Sequence, residues 1–391
     1  MENVFSALSL RKCLIWVYLG TLLLSFHSYF TAYVNSSFLE GFFGSVSVGV
    51  IYVVSAVISL VTLVLLPREI RLYGKFRTIL LLSVLQFGAV LALAYVSSPI
   101  LALLAFLISQ ITLPLIFYVL DIYVEDNTYS ESLTGIIRGL LLTAGNLALV
   151  LSPYLVGVLA EDNIQNVFLF ASLFILPFLL LTLTKLRVPK KHISRIPDMR
   201  KAIAVTFKDR NLRNVFLANL ILQIFYAGMV IWSPIYLTKV LEIPWSTVGL
   251  LFTFMLLPFL MFELPVGFIA DKYAGEKEMM IVGFGTISIF TAAFGLVPGS
   301  SIFLLGAVLF LTRTGAVFAE MTTESYFFKK VSGRDPDLIS VFRSTRPLAF
   351  IIGPPIGIAA LSFMPYQGLF LTLGALTLLG ALFASRLKDT L

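Results

Sequence analysis

The sequence predicts an all-α integral membrane protein with twelve transmembrane helices in two pseudo-symmetric six-helix bundles. Three observations carry this. The 391-residue chain is 59% hydrophobic and only 13% charged, with a mean hydropathy of +0.97, against about 25% charged in ordinary soluble domains. Its apolar residues gather into twelve runs of about 20 residues, the length that crosses a bilayer as a helix. Its lysines and arginines fall almost wholly on one side of the connections between those runs.

The first six runs lie near 14–34, 45–66, 76–96, 99–120, 136–160 and 165–184. The second six lie near 213–238, 246–268, 278–297, 301–325, 338–361 and 367–385. The expected organisation is an N-terminal bundle over 1–184, a basic linker over 185–212 and a C-terminal bundle over 213–391. Short breaks at Ser97-Ser98-Pro99 and Pro298-Gly299-Ser300 recur between the third and fourth run of each half. The first run is long enough to span, and apolar runs continue to the end of the chain, so no cleavable signal peptide is expected. Cys13 is the single cysteine, which excludes a disulfide framework and a multi-cysteine metal site.

Arg11, Lys12, the Arg68–Arg77 segment, Arg138, the 185–213 segment, Lys272, Lys277, Lys329 to Arg346, Arg386 and Lys388 share one side, and only Lys239 lies opposite. The positive-inside rule then places both termini in the cytoplasm of a plasma (inner) membrane protein. The net charge of +7 is accounted for by topology and attraction to anionic lipid at the basic linker, not by nucleic acid. Within the linker, residues 198–210 are suited to a short surface helix.

Internal repetition supports the two halves. Gln110, Pro114, Phe117 and Asp121 in the fourth run have the same spacing as Arg313, Val317, Glu320 and Glu324 in the tenth, each set one stripe of a helix. Each stripe is followed by an arginine five residues after a leucine, Arg138 after Leu133 and Arg343 after Leu338.

One loop carries more information than the rest. Glu263, Gly267 and Asp271 share a helix face, Gly267 allows close helix approach, and Asp271-Lys272 then Gly275 reverse the chain at the membrane surface. The run Gly267-Phe-Ile-Ala-Asp271-Lys272, followed by glycine and lysine, resembles the signature loop between the eighth and ninth helices of major facilitator superfamily transporters. The second glycine comes one residue later than in that pattern. The first-half counterpart, Pro67 to Lys75, keeps the late glycine but has Arg71 where the acid should stand.

The resemblance implies a fold and a mechanism: two bundles rocking around a midplane site, with acid–arginine pairs at the inner helix ends acting as a switch. The residues in those positions are Asp121 with Arg138, and Glu320 and Glu324 with Arg343 and Arg346. A pair in a partly desolvated interface would be worth about a kcal/mol or more. Arg313, halfway through its run, needs either an acid partner such as Glu320 or Glu263, or a place in the cavity where it holds an anionic group. Coupling needs a group that changes charge inside the pathway, and Glu320, Glu263, Asp121 and His27 are the candidates. Polar tips available to line a cavity are Tyr29, Tyr33, Gln110, Gln223, Tyr226 and Ser233, while Trp232 and Tyr236 suit either the cavity or an interfacial belt. Asn35-Ser36-Ser37 matches a glycosylation sequon.

The expected function is proton-coupled secondary transport of a small molecule, with an anionic substrate left open. No cofactor or metal is implied, and a monomer is expected. Efflux of hydrophobic compounds and a non-transporting sensor or scaffold are the alternatives. A membrane enzyme is disfavoured, because the two histidines, His27 and His192, have no acid cluster beside them.

Overall fold

The computed structural model describes residues 2–126, 131–186, 199–270, 275–331 and 336–388, with side chains from residue 15 except at 124–126, 131–144, 264, 268 and 336. The chain is helical throughout, with no strand among the described residues. Twelve long helices correspond to the twelve runs. In the first half these are α1 (Glu2–Ala32), α3 (Ser45–Tyr73), α4 (Lys75–Tyr95), α5 (Pro99–Asp126), α6 (Glu131–Asp162) and α7 (Ile164–Lys185). In the second half they are α9 (Arg210–Ile235), α10 (Trp245–Ile269), α11 (Glu276–Phe294), α12 (Ile302–Lys330), α14 (Thr345–Phe363) and α15 (Tyr366–Ser385). Three short helices, α2 (Asn35–Phe43), α8 (Met199–Lys208) and α13 (Pro336–Arg343), and a π-helical turn Tyr236–Val240 that continues α9 complete the described set. Among the described residues, ten helices are long and apolar enough to cross a membrane.

The chain divides into two compact units, Met1–Phe43 with Ser55–Arg195, and Gly44–Val54 with Ile196–Leu391. The units repeat one packing scheme. In the first, α4 packs on α5 and α7, and α1 on α5, α6 and α7; in the second, α11 packs on α12 and α15, and α9 on α12, α14 and α15. Inner-end details repeat as well. Gly74 and Gly275, with φ of 85° and 70°, precede α4 and α11 in backbone conformations that side chains rarely adopt. The next residues, Lys75 and Glu276, are both buried charges. Lys75 lies 5.1 Å over the Tyr123 ring, whereas Glu276 pairs with Lys329 and accepts from Ser325 at 3.0 Å. Tyr123 donates to the Leu186 carbonyl at 2.9 Å, and Tyr326 to the Lys388 carbonyl at 3.0 Å, at matching places in the two halves.

Close helix approach is concentrated in the second unit. A Cβ added to Gly283 would lie 2.7 Å from the Ala319 amide nitrogen and 2.8 Å from the Gly315 carbonyl oxygen, so α11 and α12 touch backbone to backbone. A Cβ on Gly267 would meet no described atom within 4 Å, so the packing expected of it is found at Gly283 instead.

Several local expectations change. The first-half segment Pro67–Lys75 is not a loop: α3 runs through Pro67 to Tyr73, and only Gly74 interrupts it. The eleventh run is broken into α13 and α14 at Ser344, three residues before Pro347, which has no N–H to carry the helical ladder across the break. The sequon asparagine Asn35 is 4% exposed and opens α2, so it is not presented to a glycosylating enzyme. Trp232 and Tyr236 are 0% and 1% exposed, inside the second unit and not at a lipid interface. The indole fills the space left by Gly357, and Tyr236 joins Phe294, Tyr366 and Phe370.

Candidate functional site

Among the ten described spans the one that contains α9, Arg210–Val240, is the most enclosed, 72% buried over its most apolar window. What remains accessible forms one stripe: Arg213, Leu217, Leu220, Gln223, Tyr226 and Val230 are half-buried at helical spacing. From Ile231 to Leu237 every residue is buried. The stripe therefore starts at the arginine-bearing end of α9 and stops about four-fifths of the way along it. Asp209 fixes that end as an N-cap, accepting from the Asn211 and Leu212 amides at 2.8 and 2.9 Å.

At the top of the stripe, the Tyr226 hydroxyl donates to Glu320 Oε2 of α12 at 2.7 Å. Two turns from Glu320 on α12, the Arg313 guanidinium lies 5.2 Å from the Phe225 ring centre and 5.3 Å from that of Tyr226. Arg313 is 4% exposed, and the two aromatic faces stabilise its charge away from water. Gln223, one turn before Tyr226, makes no hydrogen bond among the described residues. Glu324, Glu263 and Arg346 act electrostatically on Glu320, and Glu324 pairs with Arg343 at 2.6 Å. Two further acids, Glu263 and Glu324, and two arginines, Arg313 and Arg346, all of one unit, thus act on a single hydroxyl–carboxylate bond, with Arg343 paired to Glu324.

The Glu324–Arg343 pair is more open than a desolvated switch requires, with side chains 35% and 59% exposed. Such a pair contributes only about 0–1 kcal/mol, less than the sequence reading expects. Arg346 is exposed, as is Asp121, and Gly267 and Glu263 are half-buried. Arg138, Asp271 and Lys272 carry side chains outside the described residues. Ser233 is buried and spends its hydroxyl on the Met229 carbonyl of its own helix.

The first-half candidates separate. Tyr29 and Gln110 are half-buried and Tyr33 is buried. His27 is 0% exposed and satisfied at both nitrogens: Nδ1–H donates to the Ala171 carbonyl at 3.0 Å, and Nε2 accepts from Gln86 at 2.7 Å. Gln86 also donates to Ser109 at 2.9 Å and accepts from Thr112 at 2.5 Å. The imidazole therefore ties α1 to α4, α5 and α7, a packing role with no exposed edge. Sequence reading missed Gln86, Ser109 and Thr112; a glutamine inside an apolar run was the available signal. It also missed Phe225 and Glu276, whose meaning depends on which neighbour they face.

Comparison with known proteins follows the same lines. The sequence profile described as Major Facilitator Superfamily matches residues 127–334 and 242–390. A search of curated proteins finds no sequence match. Among solved structures, a point mutant of the nucleoside transporter NupG superposes with a TM-score of 0.80 at 13% identity, over 96% of this chain and 100% of that one. The peptide transporter POT in complex with sulfate gives 0.75 at 13% identity, over 95% and 93%. A D-xylose-proton symporter gives 0.71 at 16% identity, over 97% and 98%. These likenesses establish the twelve-helix fold. With apolar helices long enough to span a bilayer in both units and a family profile covering most of the chain, this multi-pass membrane protein belongs to the Major Facilitator Superfamily.

Proposed function

We propose that the chain is a secondary transporter that carries a small polar organic solute across the membrane by alternating access, coupled to protons. The observation that carries this is the Tyr226–Glu320 bond at the head of a half-accessible stripe, on helices otherwise enclosed in apolar packing. A carboxylate and an arginine this deep in a spanning segment are costly unless they serve a pathway or its coupling. The solved relatives of the same fold move nucleosides, peptides and xylose, the last with a proton, which supports the small-solute class. Glu320 and Glu263 are the proton carriers of choice, because His27 is committed to packing. The charged site weighs against a pocket for purely hydrophobic compounds, and no chemistry beyond translocation is called for.

In this reading residues 1–184 and 213–391 are the two moving bundles, joined by the 185–212 linker, in a monomer of the plasma (inner) membrane with cytoplasmic termini. Arg343 with Glu324, and Arg346 beside Glu320, bias one conformation by small increments, as a two-state switch requires. Helix α8 exposes Arg200, Lys201 and Lys208 next to exposed Ile203 and Phe207, which suits contact with anionic headgroups. The test is reconstitution in proteoliposomes. Saturable, protein-dependent uptake of small polar solutes that rises when a proton gradient is imposed is expected. Vesicles whose uptake is indifferent to both protein and gradient would remove the reading.

A further inference from the structure

The hydrogen bond between Tyr226 and Glu320 does not look like a permanent part of the packing. It lies on the half-accessible stripe of α9, where both partners are only half-buried, whereas the neighbouring hydroxyls of Thr312, Thr322 and Thr323 are buried and spent on their own helix. Gln223, one turn away, adds an amide with no hydrogen bond among the described residues. Among the described residues the charges linked to the bond balance: Glu263, Glu320 and Glu324 against Arg313, Arg343 and Arg346. Arg313 is covered by Phe225 and Tyr226, so its guanidinium is held as an internal counter-charge. A solute bringing a net charge into this cluster would upset that balance and pay to be desolvated. A neutral solute with hydroxyl donors meets no such penalty.

Resting on the proposed transport function, we propose that the Tyr226 hydroxyl is a placeholder, and that the solute is an uncharged polyhydroxylated molecule whose own O–H displaces it from the Glu320 carboxylate. The Gln223 amide, one turn away, then accepts from and donates to the remaining hydroxyls of the solute, while the released Tyr226 hydroxyl is left to water. In the empty protein the carboxylate is never left without a donor, which would be costly in a spanning segment. Exchange of one hydroxyl for another also leaves the charge of the cluster unchanged when the solute binds.

The substitution Tyr226→Phe separates this from an ordinary contact, because it removes the competitor and leaves the carboxylate. The full-length protein in detergent is titrated with uncharged pentoses, hexoses and nucleosides, and with succinate, inorganic phosphate and tetramethylammonium as charged probes. Binding is read by thermal shift, since a ligand of the folded form raises its melting temperature, and transport of the same probes is read in proteoliposomes. An uncharged probe should bind wild type, Tyr226→Phe should tighten it by about two- to tenfold, the worth of one lost hydrogen bond, and Glu320→Gln should weaken it. Weaker binding to Tyr226→Phe, or binding confined to the charged probes, overturns the proposal while leaving transport standing. Absence of protein-dependent uptake for every probe would instead overturn the transport reading, and the proposal with it.

Discussion

Gly315→Ala lowers the melting temperature of the purified protein by several degrees, while Gly267→Ala leaves it unchanged or raises it slightly. A Cβ on Gly315 would stand 2.7 Å from the Gly283 carbonyl oxygen and 2.8 Å from the Ile287 amide nitrogen. Both are backbone atoms of α11, fixed by that helix's own hydrogen bonds, so relief requires moving α11 away from α12. Overpacking of this kind costs about 1–3 kcal/mol, occasionally more. The displacement also propagates, because α11 packs on α15 through Gly374, whose added Cβ would lie 2.7 Å from the Ser288 carbonyl oxygen. Gly267 has no described atom within 4 Å of that position, and alanine there gains up to roughly 1 kcal/mol of helix propensity. Melting followed by intrinsic fluorescence in one detergent compares the two variants. Equal losses would mean that α11 and α12 are not in backbone contact.

Glu320→Ala abolishes solute uptake, a fall of at least about 100-fold, equivalent to roughly 2.7 kcal/mol. The change removes the acceptor of the Tyr226 hydroxyl and leaves the arginines of the cluster in excess. A hydrogen bond to a charged group is worth about 1.5–3 kcal/mol, which alone accounts for a loss of this size. Glu320→Gln keeps shape and hydrogen-bonding capacity but cannot gain or lose a proton. It should exchange labelled solute down its gradient while failing to accumulate solute in response to a proton gradient. Proteoliposome uptake and counterflow, run side by side on the two variants, give the answer. Gradient-driven accumulation by Glu320→Gln at the wild-type level would clear this carboxylate of coupling.

The twelve spans were legible in the sequence because a spanning segment must satisfy its own backbone and face lipid, and that requirement writes length and apolarity directly into the residues. The repeat was legible too, through the stripes of the fourth and tenth runs. What the stripes did not reveal is which neighbour each face meets. Arg313 shares a stripe with Glu320, yet the groups packed on its guanidinium are Phe225 and Tyr226 of another helix. Gly267 carries the family signature, but the close approach is made by Gly283 and Gly315. His27 reads as a candidate proton carrier until Gln86 and the Ala171 carbonyl, 59 and 144 residues away in sequence, are seen to occupy both its nitrogens. Spacing fixes the face of a helix; long-range packing decides what that face does.

In the proposed mechanism the solute reaches the Tyr226–Glu320 pair along α9 from the Arg213 end. Cys13 is the only native cysteine, so a Cys13→Ser background permits single cysteines to be read one at a time. A membrane-impermeant thiol reagent applied from the Arg213 side should label cysteines at Leu217, Leu220, Gln223 and Val230, and should spare Val215, Ala218, Leu222 and Ile231. Labelling that ignores this periodicity, or a stripe sealed along its whole length under every condition, would contradict the account.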